Sequence, residues 1–324
     1  MRGAVIYVLV LTAVTAVWGW TFVVIKDSLL HYPVAPFLAL RFGLAVLMLL
    51  LISRRLPERR SIAIGALIGA TIAAGYGLQT YGLTSTAPGT AGLITGLFVV
   101  FTPVIDRLFG SRIATRTWVA VSVALLGTAL LAGGDPTAAV GLGDLLVLAG
   151  AVCWALQLVL LARRAPGLRP LDLALMQMLV SFAVFTAAGA TSFEPPTGVV
   201  WFGVVITGVF ASALAFPLQA WVQSKMSATR AALILAMEPA WALLFSVLLA
   251  GQRLDAVQGL GAALVLAAVI GHEALPQLAG ARGSPVGDAG SGVLGDQTAQ
   301  TADRDLDGGV EGEPARVGHP GDAV

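Results

Sequence analysis

Apolar residues run along this chain in blocks of about 20, separated by short polar joints. A helix needs roughly that many apolar residues to cross the hydrocarbon core of a bilayer. Ten blocks qualify, near 4–25, 34–53, 61–83, 89–109, 117–133, 142–162, 171–191, 198–222, 229–250 and 255–274. The joints carry turn formers and breakers: "HYP", "RRLPERR", "TSTAPG", "GGDP", "RRAPGLRP", "FEPP" and "AGQR". The blocks are too long for barrel strands and do not alternate, so helices are expected. The first block exceeds the roughly 7–15-residue core of a signal peptide and is read as a retained helix.

Composition agrees with the pattern. Of 324 residues, 57% are hydrophobic and 11% charged, with a mean hydropathy of +0.87. Soluble proteins carry about 25% charged residues, so material for a solvated shell is missing. The expected class is an all-α integral membrane protein in the cytoplasmic membrane, with the bilayer as its first partner. Single Cys153 excludes an internal disulfide, and His31, His272 and His319 are scattered, so no metal site is read. A net charge of +1 gives no sign of nucleic-acid binding, and no motif calls for a cofactor.

Charge sets the expected orientation, because Lys and Arg stay on the cytoplasmic side. With the N-terminus inside, cytoplasmic segments hold thirteen basic residues, among them Arg54, Arg55, Arg59, Arg60, Arg163, Arg164 and Arg169. The outer loops hold two, Lys26 and Arg253. Ten spans then return the C-terminus to the cytoplasm. Residues 276–324 carry eight acids against three arginines and few apolar groups, and are expected to be a disordered acidic cytoplasmic tail.

The chain also repeats itself. Trp18 and Trp154 stand 136 apart, as do Pro103 and Pro239. Gln79 and Gln219, and "TAGLI" at 90–94 with "RAALI" at 230–234, stand 140 apart. A four-residue difference before the prolines would reconcile the two spacings. The expected domains are 1–137 and 138–275, each with five spans. An odd number turns the second half over in the membrane, giving two inverted five-helix repeats, as in secondary transporters.

At this point specific motifs stand out. "AVWGWTFVVIKDSLLHYPVAPFLALRFGLAVLMLLL", "TAGLITGLFVVFTPV" and "SATRAALILAMEPAWALLFSVLLAGQRLDAVQGLGAALVLAAVI" resemble the first, fourth and last helices of EamA-type members of the drug/metabolite transporter superfamily. The resemblance covers 1–275. One departure is Gly251-Gln252-Arg253, where the family often has Gly-Glu-Arg. The resemblance implies ten helices, cytoplasmic termini and a central cavity lined by both repeats. It also implies peripheral fifth and tenth helices able to support a homodimer. Its members move small organic metabolites, often outward.

Candidate pathway residues follow from what is costly in a bilayer. Arg41 and Glu238 are charges inside spans, each about 2.5–3.5 kcal/mol at a helix centre. They are expected to neutralise each other or to hold opposite ends of a substrate. Pro103 and Pro239 are expected kinks. Trp18 with Thr21, Trp154 with Gln157, and Tyr76 with Gln79 stand three apart, so each pair shares a helix face. Gln177 sits where Arg41 sits in the first repeat, and Thr95 and Gln219 complete the set. Trp also marks membrane interfaces and Gln also bonds between helices. Asp106, Arg107 and Asp144 are read as interfacial. The leading expectation is a secondary transporter, and an exporter, taking a small-molecule substrate. A membrane enzyme on lipid-linked substrates would need acid–base clusters at one interface, which the short basic loops lack. A non-transporting scaffold would leave the repeat without a purpose.

Overall fold

The computed structural model describes residues 2–86, 88–131, 141–250 and 256–271 except 258, 262, 269 and 270. All of them belong to one unit, Met1–Ala281. The predicted tail, His272 and the Gly251–Arg253 joint lie outside the described residues.

The described chain is all helix: α1 (Arg2–Leu29), α2 (Val34–Ser53), α3 (Arg59–Ser85), α4 (Pro88–Gly96), α5 (Phe98–Leu108), α6 (Thr115–Leu131), α7 (Leu142–Arg164), α8 (Pro170–Gly189), α9 (Gly198–Val205), a π-helical stretch (Ile206–Leu214), α10 (Ala215–Gln223), α11 (Ala228–Leu235) and α12 (Glu238–Ala250). Six helices are long and apolar enough to cross a membrane: Val5–Leu29, Val34–Ser53, Arg59–Ser85, Leu142–Arg164, Pro170–Gly189 and Gly198–Gln223. The last is continuous from α9 through the π stretch to α10. Of the other four predicted spans, two are each split into half-helices. Two appear as the shorter apolar helices Thr115–Gly127 and Gly259–Ala268.

Local chemistry explains the ends. Pro33 and Pro170 open α2 and α8, where a missing N–H costs nothing. Arg54, at φ 51°, closes α2 in the left-handed conformation. Pro217 is the third residue past the π stretch, and a proline ring crowds the carbonyl four residues back, here Ala213 within the stretch. A widened turn upstream relieves that crowding. π turns of this kind are rare and concentrate at functional sites.

The two split spans break alike. Leu97 N–H reaches back only three residues to the Ile94 carbonyl (3.1 Å), and Met237 does the same to Ile234 (3.2 Å). The starts of α4 and α11 lie 140 apart, as do those of α5 and α12. The repeat spacing therefore stays at 140 through the break, without the four-residue difference expected from the prolines. Pro239 lies just past its break, in the first turn of α12. Pro103 lies inside α5, six residues beyond Leu97, and is not where its span is interrupted.

Packing is reciprocal. α3 runs along α7 and α8, while the Gly198–Gln223 span runs along α1 and α2. α2 meets α8. Close approach demands glycine at two crossings. A Cβ on Gly82 would stand 2.6 Å from the Gly143 carbonyl oxygen, and one on Gly19 would stand 2.8 Å from the Ala242 nitrogen.

Candidate substrate cavity

A cavity with about 50 Å³ open to a water-sized sphere lies between the helices. Its walls are Trp18, Thr21, Phe22, Ile25, Tyr76, Gln79, Thr95, Phe98, Trp154, Gln157, Leu158, Gln219, Leu235 and Glu238. Twelve of these fall into six pairs at the repeat spacing: Trp18 with Trp154, Thr21 with Gln157, Phe22 with Leu158, Gln79 with Gln219, Thr95 with Leu235, and Phe98 with Glu238. The half-helix breaks supply the last two pairs. There backbone geometry departs from the helix beside a cavity, where a bilayer protein tolerates it.

Nine of the eleven predicted pathway residues line this cavity: Trp18, Thr21, Tyr76, Gln79, Thr95, Trp154, Gln157, Gln219 and Glu238. Arg41 and Gln177 do not. Arg41 is almost wholly buried, and its Nε donates to Ser212 Oγ (3.0 Å) while Nη2 donates to Tyr76 Oη (2.8 Å). Its guanidinium also sits 4.2 Å from the ring centroid of Tyr76, which is a wall residue while Arg41 is not. Arg41 and Glu238 form no ion pair. Gln177 is fully buried with neither amide atom hydrogen-bonded.

The polar wall is partly self-satisfied. Gln79 Nε2 donates to Thr95 Oγ1 at 2.9 Å, and the amides of Gln157 and Gln219 face each other at 3.4 Å. Trp18 Nε1 donates to the Ala211 carbonyl in the π stretch at 2.9 Å, whereas Trp154 Nε1 has no partner. The Trp154 ring meets Tyr76 edge-on at 4.6 Å.

The cavity is not symmetric along its length. Ile25 lines it, but the corresponding Leu161 is fully buried. Just beyond Leu161, Arg163 clasps Asp106 Oδ1 through Nη2 and Nε (2.8 and 3.0 Å), the Asp106 carbonyl (3.1 Å) and Ser111 Oγ (2.8 Å). Asp106, expected at the interface, is therefore a buried partner tying the end of α5 to the end of α7. At the opposite end Lys26 Nζ donates to the Leu83 carbonyl at 2.7 Å and caps α3. Asp144 accepts from Thr86 Oγ1 (2.8 Å) and from the Gly141 N–H (2.9 Å), starting α7.

Sequence reasoning missed Phe22, Ile25, Phe98, Leu158 and Leu235, which look like ordinary lipid-facing or core residues. The repeat spacing of 140, carried through to 238, would have found Phe98. Among the described residues no group of three His, Cys, Asp or Glu side chains could hold a metal ion.

Helices of membrane length around a cavity with mixed polar and apolar walls, matched between two halves, define a multi-pass membrane protein. Known proteins supply its family. The EamA-like transporter family matches residues 5–133 and again 141–272, and the chain belongs to that family. An uncharacterized transporter of Archaeoglobus fulgidus is 34% identical over 267 residues, covering 80% of this chain and 83% of that protein. The uncharacterized inner membrane transporter YedA of Escherichia coli is 26% identical, covering 80% and 88%. The uncharacterized transporter YyaM of Bacillus subtilis is 25% identical, covering 78% and 88%. A crystal structure at 18% identity superposes with a TM-score of 0.68 over 86% of this chain and 99% of its own, and so shares the fold. The chain is a membrane transporter, and the family and relatives point to transport rather than catalysis.

Proposed function

We propose that the protein is a secondary transporter that carries a small organic solute by alternating access. Its working halves are two inverted five-helix repeats, 1–137 and 138–275, making ten spans with both termini in the cytoplasm. The observation that carries this reading is the set of six wall pairs at the repeat spacing. Two halves that supply corresponding walls can exchange conformations and turn the cavity from one side of the membrane to the other. The reciprocal packing of α3 on α7 and of Gly198–Gln223 on α1 supports it. So does the Arg163–Asp106 clasp, which ties the helices at one end while the cavity reaches further toward the other. The basic asymmetry supports cytoplasmic termini, and the sequence resemblance supports export. The short helices Thr115–Gly127 and Gly259–Ala268 are the surfaces for a homodimer.

The test is counterflow in vesicles of purified protein, against a panel of amines, amino acids, carboxylates and nucleobases. At least one labelled solute should accumulate only when unlabelled solute is trapped inside. No exchange of any solute rejects the reading.

A further inference from the structure

We propose that the cavity takes a monocationic amine with an apolar body, its nitrogen held by Glu238 and the rings of Trp18, Tyr76 and Trp154. This rests on the cavity being a substrate site, and it names the class of substrate.

Glu238 is the one charged side chain on the wall. It is 8% exposed, and neither ion pair among the described residues involves it. A carboxylate held out of water without a counter-charge is costly, and a cation in the cavity would offset that cost. The group that would have anchored an anion has been placed elsewhere. Arg41 commits two of its nitrogens to Ser212 and Tyr76, leaves Nη1 unpartnered in the packed interior, and is not a wall residue. An anion in the cavity therefore meets no cationic wall, whereas a cation meets Glu238 directly.

The rest of the wall fits the same ligand. Aromatic faces attract a cation, most strongly when it is desolvated. The position matching Glu238 in the other half is Phe98, so charge lies on one wall only. Phe98, Phe22, Ile25 and Leu158 make the rest of the wall apolar, which suits an apolar body. The 3.4 Å separation of Gln157 and Gln219 is long for a hydrogen bond, so a ligand group can replace that contact at little cost.

Three probes share a phenyl-ethyl body and differ in the charged groups it carries, an ammonium, a carboxylate or both: phenethylamine, 3-phenylpropionate and phenylalanine. Binding to the purified full chain is read by titration calorimetry, without reference to flux. Phenethylamine should saturate the protein, and the other two should bind at least about tenfold more weakly. Glu238→Gln should weaken the amine at least about tenfold, while Glu238→Asp, which keeps the charge, should retain most of the affinity. Each variant is checked for a single sharp size-exclusion peak. Preference for phenylpropionate or phenylalanine overturns the proposal. So does amine binding that Glu238→Gln leaves unchanged, or saturation by none of the three. Amine binding without counterflow would instead leave the ligand class standing and remove the transport reading.

Discussion

Trp18 and Trp154 hold corresponding places on α1 and α7, and both line the cavity. Only one of the two indoles is satisfied. Trp18 donates to the Ala211 carbonyl because the span it faces carries a π-helical stretch. Trp154 faces α3, which is a regular helix, and its Nε1 finds no acceptor. The same contrast recurs around the site. Phe98 answers Glu238, Gln177 answers Arg41, and Ile72 stands where the other half has Ser212. The backbone of the two halves is shared down to the breaks, while the charges are placed once each. The repeat thus supplies the common frame, and the departures from it supply the chemistry.

Making the halves more alike should damage the protein in graded steps. The largest effect is expected from Glu238→Phe, which gives both halves an apolar wall at this position. Amine counterflow should fall by at least about tenfold, equivalent to losing 1.4 kcal/mol of attraction. Adding Phe98→Glu to that variant moves the carboxylate to the matching wall and should return part of the flux. No recovery would tie the carboxylate to its own half.

A second substitution exchanges a packing solution. Gly82 corresponds to buried Val222, but Gly82 lies against the Gly143 backbone. Gly82→Val should destabilise the protein by about 1–3 kcal/mol, measured by unfolding in mixed micelles. Smaller again is Ser212→Ala, which removes one acceptor from the buried Arg41 guanidinium. A loss of about 1 kcal/mol, the usual net worth of one hydrogen bond, is expected in the same assay. The finest comparison returns to the indoles. Trp18→Phe should cost more than Trp154→Phe by about 0.6 kcal/mol, the average for a polar contact between membrane helices. Equal costs would show that the Ala211 bond contributes nothing.

Much of this site could be read from the sequence, for a definable reason. Trp18 with Thr21, and Trp154 with Gln157, were legible because helix periodicity fixes which residues share a face. Polar residues in apolar helices must turn inward, and that rule brought nine residues to one cavity. The rule does not say whether an inward residue lines a space or packs behind one. That is why Arg41 and Gln177 were placed with the others. Their depth is decided by Tyr76 and by the contact of α2 with α8, which no spacing reveals. The breaks were half legible. Pro239 marks one, because its missing N–H prevents a continuous helix. At Leu97 no residue forbids the helix, so Pro103, the visible breaker, pointed to the wrong turn.

The π stretch also records how the second half came to differ in length. α2 and α8 start 136 apart, but α3 and α9 start 139 apart, the longer loop before α9 supplying the difference. Gly69 and Gly208 keep 139, and they pack on the backbones of Gln177 and Arg41 respectively. Past the π stretch, Gln79 and Gln219 stand at 140. One residue has been added within the span. In an ordinary helix that insertion would swing every later side chain by about 100° and carry Gln219 off the cavity wall. A wide turn swallows the extra residue and leaves the downstream face where it was. It also pushes a carbonyl outward, toward Trp18. A change in length, confined to a single turn, has in this way become a new hydrogen bond at the edge of the cavity.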